Sequence, residues 1–404
     1  MAQSDPGPPG IQSRAVAITA NGAVKEELKM TTLDNRKDTR LCRLADAPDD
    51  FARLGIDPDA IEPWEDGLRT DTGPGHYEWW YFDAHLDDGS SLVIMFYTKN
   101  PLTPDRPLEP YVTVQLERPN GAGVAFASHA TAAQFSAGED CCDVRIADNR
   151  FHGDLHDYQI HVAHEDVTID VELKAQVQPW RHSAGRVYFG EHDEHFFAWL
   201  PSVPQGAASV KLRVGGRTER LTGVGYHDHN WGDTAMPRLI NHWYWGRAQA
   251  GPYSIIATYL TAEHRYGYAE MPTFLLAKGG TIVADDASNV RFHLEGEHTD
   301  GHSGKPIADV VVYDYDDGRD RYRVSFHRAE TILDRRLIDQ VSGVKQVLAR
   351  LKHFDGAYLR FTGSVQVEHF VDGEKVEDVS DHGIWELMYL GHTTPNDDAS
   401  RHHS

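Results

Sequence analysis

Short runs in which apolar residues dominate or alternate with polar ones fill the chain from Glu78 onward. Such runs, about four to eight residues long, are typical of β-strands, whose successive side chains face opposite ways. Turn signals at Asp87–Gly89, Lys278–Gly280 and Asp316–Gly318 separate several of them. The runs that predict strands are Ser91–Thr98, Tyr111–Glu117, Val167–Leu173, Tyr253–Leu260, Thr273–Ala277, Val310–Tyr315, Tyr322–Phe326 and Gly363–Glu368.

Helical patterns are scarce. Apolar positions at helical spacing predict one helix over Arg336–Leu351, and a shorter helix is predicted near Pro48–Leu54. The chain lacks a βαβ alternation and a glycine-rich phosphate loop, which argues against a Rossmann fold. Regularly spaced strands favour an all-β fold of barrels or sandwiches with few short helices. We expect a disordered leader over residues 1–45 and two β domains, over residues 46–235 and 236–404.

The charge and cysteine content narrow the possible partners and compartment. With 39 basic and 62 acidic residues, the net charge is −23. This argues against nucleic acid or an anionic membrane as a partner, because both bind basic surfaces. No run approaches the ~20 apolar residues of a membrane span. The three cysteines, Cys42, Cys141 and Cys142, give no disulfide framework and favour a cytoplasmic location. The sequence leaves the oligomeric state open.

Histidines and aromatic residues concentrate in Gly223–Gly232, which reads GVGYHDHNWG, and again in His242–Arg247, HWYWGR. A histidine beside an indole in a cavity could orient a water or a proton donor, while the ring stabilises positive charge. The structural alternative, that these residues tie down a turn and fill a core, has about equal weight. In an extended strand the first segment has two faces, one with His227, His229 and Trp231 and the other with Tyr226, Asp228 and Asn230.

A second aromatic segment, His76–Asp83, reads HYEWWYFD. Alternation places Glu78, Trp80 and Phe82 on one face and Trp79, Tyr81 and Asp83 on the other. A carboxyl group among indoles is partly desolvated, so its pKa should rise and Glu78 could serve as a general acid. The alternative is an aromatic strand that anchors a barrel, with Glu78 hydrogen-bonded to backbone.

Metal binding has to be considered because the chain has 24 histidines. His227–His229 and Glu191–His195 could supply ligands, but no His-Glu-x-x-His or Cys-x-x-Cys pattern is present. We therefore assign no metal ligand. The absence of a Gly-x-Ser-x-Gly motif also argues against an α/β-hydrolase.

Four short segments spread over residues 78–391 form a recognisable set. They are Glu78–Ala84 (EWWYFDA), Phe197–Pro201 (FAWLP), Gly225–Gly232 (GYHDHNWG) and Trp385–Gly391 (WELMYLG). Together they resemble the carotenoid 1,2-hydratase (hydroxyneurosporene synthase) family and its lipocalin-like hydratase and Diels-Alderase relatives.

The resemblance implies two lipocalin-like β domains with a substrate cavity near their junction, and chemistry without a cofactor. It implicates His229 and Trp231. It also implies a Tyr-x-Asp pair in the next strand, where this chain has Tyr259–Thr261 and therefore lacks the aspartate. That departure argues against carotenoid hydration itself, and another acid, such as Glu78, Asp228 or Glu270, would have to serve.

The candidate residues fall into two sets, and three hypotheses about function remain. The candidate catalytic residues are Glu78, Asp228, His229, Trp231 and Tyr259. The candidate substrate-binding residues are Trp80, Phe82, His227, Trp243, Tyr244, Trp245, Thr261 and Glu270. The favoured hypothesis is a cofactor-independent hydratase or proton-initiated cyclase acting on an alkene of a hydrophobic isoprenoid or polyketide. The alternatives are a pericyclase or isomerase of such compounds, and a non-catalytic carrier of hydrophobic ligands.

Overall fold

The computed structural model describes residues 41–121, 123–337 and 356–391. Two large antiparallel sheets contain most of these residues, as the alternating sequence predicts. The all-β prediction is confirmed. In the described residues the helices are short, and no helix is long and apolar enough to cross a membrane.

The first sheet is built from thirteen strands that run from the start of the described chain to Gly232. Its spatial order is β5-β4-β3-β2-β13-β12-β10-β9-β8-β7-β6, with β11 on β12 and β1 on β11. The strands are β1 (Cys42–Leu44), β2 (Tyr77–Leu86), β3 (Ser91–Tyr97), β4 (Tyr111–Glu117), β5 (Gly123–His129), β6 (Phe135–Ala137), β7 (Cys142–Ile146), β8 (Asn149–Gly153), β9 (Asp157–His164), β10 (Val167–Ala175), β11 (Arg186–Phe189), β12 (His195–Val214) and β13 (Arg217–Gly232).

In the part of the chain that the structure describes, the second sheet has nine strands, in the order β17-β16-β15-β14-β24-β23-β22-β21-β18, and a two-stranded ribbon, β19-β20, stands apart. The strands are β14 (Ile240–Ala250), β15 (Tyr253–Ala262), β16 (Glu270–Lys278), β17 (Thr281–Ala284), β18 (Val290–Glu295), β19 (His298–Thr299), β20 (Pro306–Ile307), β21 (Val310–Asp316), β22 (Asp320–Arg336), β23 (Ala357–Val371) and β24 (Glu374–Tyr389).

The helical segments lie between strands. The helix predicted near Pro48–Leu54 is confirmed as α1 (Pro48–Leu54). Proline occupies its first turn, and Gly55 ends it in the left-handed region at φ 67°. Among the described residues, five short 3-10 helices accompany it, at Pro63–Asp66, Ala132–Gln134, Met236–Arg238, His264–Tyr266 and Ala287–Asn289.

Each sheet curls around its own core. Buried residues from β3 and β4 pack in one cluster with residues from β8 and β9, although these strands lie far apart in the strand order. The second core likewise joins β15 and β16 to β21 and β22. Alternation gives each sheet one apolar face, and the sheet curls to bury that face. Strand β3, for example, buries every second residue and turns Ser91, Val93, Met95 and Tyr97 outward. Each sheet therefore has a filled inner face and an outer face.

All the predicted strands and the three predicted turns are confirmed. Asp87–Gly89 connects β2 to β3, and Gly89 takes φ 81°, a conformation that glycine adopts without strain. The sheets divide between Gly232 and Ile240, near the predicted junction at residue 235. Independent folding of residues 46–235 and 236–404 stays a prediction.

The predicted leader needs a correction at its end, and most of the second predicted helix lies outside the described residues. The leader over residues 1–45 does not hold at its end, because β1 pairs with β11 and the buried Cys42 thiol contacts the Met271 sulfur at 3.2 Å. Residues 1–40 lie outside the described residues. Most of the helix predicted over Arg336–Leu351 also lies outside them, and its first residue belongs to β22.

Candidate functional site between the sheets

A cavity of about 560 Å³ lies between the outer faces of the two sheets. Strands β2, β3, β4, β12 and β13 form one wall, and β14, β15, β16, β23 and β24 form the other. Its size fits a drug-sized or somewhat larger organic molecule. The lining is rich in aromatic side chains, which include Trp79, Tyr81, Tyr97, Tyr111, Phe197, Trp199, Trp243, Trp245, Tyr358 and Trp385.

Two contacts across the cavity set the alignment of its walls. The Tyr81 and Trp245 rings meet edge to face, with centroids 6.4 Å apart. Two residues further along both strands, Arg247 forms an ion pair with Asp83. Strands β2 and β14 therefore run side by side, and Trp79 and Trp243 pack in the same apolar cluster.

This alignment divides the cavity into three parts. We define the apolar end by Trp79, Phe197, Trp243, Leu260 and Met388. The acid level, in the middle, contains Tyr81, Asp228, Trp245 and Glu386. In the strand register, Asp228 on β13 lies opposite Tyr81 on β2, and Glu386 on β24 lies opposite Trp245 on β14. The charged end contains Asp83, His85, Arg247 and the guanidinium of Arg360.

Asp228 is one of two carboxyl groups at the acid level, and three hydrogen bonds fix its position. It is 6% exposed. Its Oδ2 accepts hydrogen bonds from the Tyr226 hydroxyl at 2.7 Å and the Trp199 indole at 2.8 Å, and its Oδ1 accepts one from Asn230 at 2.7 Å. Burial raises the pKa of Asp228 to about 6, although these donors oppose the rise. Both the acid and the carboxylate are therefore accessible near neutral pH.

Glu386 supplies a second carboxyl group from the opposite wall. Its Oε2 accepts a hydrogen bond from the Tyr358 hydroxyl at 2.6 Å. Burial raises the pKa of this carboxyl group, and the hydrogen bond from Tyr358 and the charge of Arg360 only partly offset the rise. Tyr81 lies near both acids, and its pKa is raised by burial first and then by the surrounding carboxylates. The phenol of Tyr81 therefore stays protonated and can donate a hydrogen bond.

The inner face of the first sheet holds a separate polar network. His229 Nε2 lies 2.9 Å from Glu78 Oε2, and both side chains are fully buried. Glu78 also accepts hydrogen bonds from the backbone N–H groups of Arg69 and Thr70. The His229 ring stacks on Trp80 with centroids 4.5 Å apart. These contacts tie the 69–70 loop to β2 and β13, which matches the structural alternative for Glu78.

The same network continues to Asp66. Its Oδ2 lies 3.0 Å from His227 Nε2 and accepts a 2.5 Å hydrogen bond from Tyr158. Burial opposes the ionisation of both partners, but their mutual attraction outweighs it, so the pKa of Asp66 is lowered and that of His227 is raised. Both shifts favour the imidazolium–carboxylate form of the pair.

A possible metal-ligating group also lies here, because ligand atoms of Asp66, Cys142 and His227 fall within 4.8 Å of one another. His227 and Asp66 are already partners, and the Cys142 thiol lies 3.8 Å from the Phe151 carbonyl. Hydrogen bonding accounts for this cluster without an ion.

The structure places three of the predicted site residues in the cavity: Asp228, Trp243 and Trp245. The expectation that His229 and Trp231 face the cavity is corrected, because the opposite face of β13 lines it. Glu78, Trp80, Phe82 and His227 also turn to the inner face of the first sheet. Tyr244 and Tyr259 lie in the core of the second sheet, Thr261 contacts His242 and Glu270 is exposed.

Sequence reasoning missed Glu386, Asp83, Arg247 and Arg360. Two signals were present in the sequence: Glu386 interrupts the apolar run Trp385–Leu390, and Asp83 shares a strand face with Trp79 and Tyr81. Alternation alone does not identify the cavity face, because both faces of β2 and β13 carry aromatic and polar residues. The reason is that both faces of these strands are packed.

We expect His229→Gln to lower the free energy of unfolding by about 1–3 kcal/mol, the cost of a buried polar group short of a partner. Turnover per folded molecule should change little, because His229 lies outside the cavity lining. Urea unfolding and kcat on the same preparations test this. His382→Gln, an exposed histidine bonded to Thr362, is the matched control. Lost turnover in a stable His229→Gln protein would contradict the expectation and favour the role that the resemblance implies.

Two curled antiparallel sheets with an aromatic, acid-bearing cavity define a lipocalin-like, two-sheet β protein. The family model described as Diels-Alderase-like matches residues 150–328. A crystal structure of CghA with Sch210972 has the same fold, with a TM-score of 0.54 at 14% identity, over 79% of this chain and 89% of CghA.

Curated relatives agree with the family match. The quinolone epoxide rearrangement protein asqO of Emericella nidulans is 24% identical over 286 residues, which are 66% of this chain and 77% of that protein. The hydroxyneurosporene dehydrogenase of Chlorobaculum tepidum is 27% identical over 212 residues, which are 43% of this chain and 54% of that protein. The resemblance to the hydratase and Diels-Alderase superfamily is thereby confirmed.

Proposed function

We propose that this chain is a cofactor-independent enzyme that protonates an alkene of a hydrophobic natural product and so starts its hydration or cyclisation. One observation carries the proposal. Asp228, a buried carboxyl group with a pKa of about 6, lines a cavity whose other walls are largely aromatic. A general acid works best when its pKa lies near the operating pH.

The reaction follows from the arrangement of the acid level. The proton on Asp228 passes to one carbon of the alkene, and positive charge develops on the neighbouring carbon. The faces of Trp245 and Trp243 stabilise that charge. A water molecule, or a nucleophile within the substrate, then forms the new bond and releases a proton. The Asp228 carboxylate accepts it, which restores the starting state. If Glu386 accepts it instead, Asp228 regains a proton by exchange with solvent before the next turnover.

The relatives support a substrate of this class. The names of asqO and of the Chlorobaculum tepidum protein refer to a quinolone epoxide and to hydroxyneurosporene, which are small hydrophobic molecules. The alignments span 77% and 54% of these two proteins. An isoprenoid or polyketide substrate fits the cavity of this chain, and no cofactor enters the reaction that we propose. The cytoplasmic location stays a prediction.

Turnover in D₂O tests the proposal. We expect the full chain, incubated with a functionalised isoprenoid or a polyene polyketide, to give a product with deuterium on carbon, because the proton of Asp228 exchanges with solvent before transfer. Mass spectrometry locates the label, and heat-inactivated protein is the control. A product without deuterium on carbon would rule out protonation of the alkene.

A pericyclase or isomerase is the second candidate. The match to the Diels-Alderase-like family favours it, as does Asp228, which is held by three donors in a position to polarise a substrate. Such an enzyme folds a polyene and lowers the barrier by proximity. It gives an unlabelled product in the same D₂O experiment. A carrier, the third hypothesis, returns its ligand unchanged after long incubation.

A further inference from the structure

We infer that the cavity binds an amphipathic substrate, whose anionic group lies against Arg247 and Arg360 while its apolar part points to Trp79 and Trp243. The inference rests on the proposed function, because it orients a substrate in the same cavity. It adds the chemical class of the substrate: an apolar chain or ring system that ends in an anionic group such as a carboxylate.

Arg247 is the first half of this anion site. Its side chain is 6% exposed, and one guanidinium nitrogen donates to Asp83. Within the described part of the chain, its buried Nε has no hydrogen-bond partner. A buried guanidinium with an unpaired N–H is costly, and a ligand acceptor would remove that cost.

Arg360 is the second half. Its side chain is 15% exposed, and its nearest acidic partner, Glu117 Oε2, lies 3.7 Å away, too far for a hydrogen bond. No side-chain hydrogen bond within 3.5 Å links its guanidinium to another residue among those that the structure describes. Glu117 is half exposed, so solvent screens the attraction. The planar donor fork of Arg360 is thus available for a bidentate acceptor.

The neighbours of the two arginines favour an anion over a cation. Burial first, and then the charge of Arg247, lower the pKa of His85 to about 4, so this histidine is neutral. The polar neighbours Ser91 and Gln115 carry no charge. Asp83 is engaged by Arg247 and by the Tyr81 hydroxyl at 3.1 Å. The acidic neighbours of Arg360 are Glu117, which solvent screens, and Glu386, whose raised pKa disfavours the carboxylate. The positive charge of Arg360 is therefore only partly compensated.

The rest of the cavity sets the position of the reacting carbons. The acid level lies between the charged end and the apolar end, so a substrate anchored by its anionic group places its chain beside Asp228 and Glu386. Such an anchor fixes which alkene meets the acid, because distance from the anionic group selects the carbon. Binding energy at the arginines would then contribute to regioselectivity.

Two retinoid probes of one shape test the inference. Retinoic acid carries a carboxylate where retinol carries an alcohol, and both quench tryptophan fluorescence when they bind near Trp79 or Trp243. We expect the full-length protein to bind the acid at least about tenfold more tightly. Arg360→Met should weaken binding of the acid by about ten- to a hundredfold, the range for hydrogen bonds to a charged group, and leave retinol unchanged.

Matched variants make the result specific. Arg145→Met removes an arginine that is half exposed on β7, and it should change neither affinity. Glu117→Gln removes the competing carboxylate of Arg360, and it should tighten binding of the acid without affecting retinol. Equal affinities for the two probes, or equal losses in Arg360→Met, would overturn the inference. Neither result depends on turnover, so failure here leaves the D₂O test of the proposed function unaffected.

Discussion

Asp228→Asn is expected to lower kcat by about two to four orders of magnitude, the range that a positioned general acid contributes. The amide keeps the shape of the side chain and an acceptor for the Tyr226 hydroxyl, but it has no proton to give. In the wild type the acid form prevails below about pH 6. Turnover should therefore fall as the pH rises through 6, and the residual rate of the variant should lack this step.

The controls separate loss of the proton donor from general damage. Asp378→Asn alters an exposed carboxylate that is bonded to Lys375, and it should leave kcat unchanged. Circular dichroism checks that Asp228→Asn is folded. Wild-type turnover in a folded Asp228→Asn protein would contradict the assignment. Loss of turnover in Glu386→Gln instead would move the acid to the opposite wall.

The same substitution should stabilise the protein. A carboxyl group whose folded pKa is raised binds its proton more tightly in the folded state, so its contribution is most favourable below the ordinary value of about 3.9 and is lost as the pH rises to about 6. Above pH 6 the wild type bears this cost, at most about 3 kcal/mol for two pH units. Asp228→Asn should therefore unfold at a higher temperature than the wild type at pH 8. Stability is reduced here in favour of a buried carboxyl group that the reaction needs as a proton donor.

Much of the fold follows from the alternation of apolar and polar residues, because the pattern within each strand shows which of its faces is buried. The runs Ser91–Thr98 and Tyr111–Glu117 became β3 and β4 with their bounds nearly unchanged. The order of strands does not follow from alternation, because pairing is non-local. Strand β24 lies beside β14, although 123 residues separate the end of one from the start of the other in sequence.

The candidate site was harder to predict for the same reason. Asp228 could be identified within a dense local segment, but Glu386 joins it only because β24 pairs with β14. Local sequence does not predict that strand pairing.

The orientation of the His229 side chain was predicted wrongly for another reason. Both faces of β13 are buried, so a polar residue on either face looks like a site residue. The inner face is distinguished by Asp66 and Tyr158, which come from distant segments.

Asp66→Ala is expected to lower the free energy of unfolding by about 3–5 kcal/mol, the cost of removing one partner from a buried ion pair. It leaves His227 and the Tyr158 hydroxyl without their acceptor in a region that is at most 1% exposed. Tyr158→Phe removes one hydrogen bond and should cost less, about 1–2 kcal/mol. Asp378→Ala, at an exposed position, is the control and should have little effect. Urea unfolding of the four proteins ranks these costs.

The pH dependence of this loss follows from the two shifted groups. The lowered pKa of Asp66 gives stability that is present above its ordinary value of about 3.9 and is lost as the pH falls. The raised pKa of His227 gives stability that is full below about 6.5 and is lost as the pH rises through the folded value. The difference between wild type and Asp66→Ala should therefore be largest between about pH 4 and 6.5. A difference that stays constant from pH 4 to pH 9 would contradict the ion pair and leave a neutral hydrogen bond in its place.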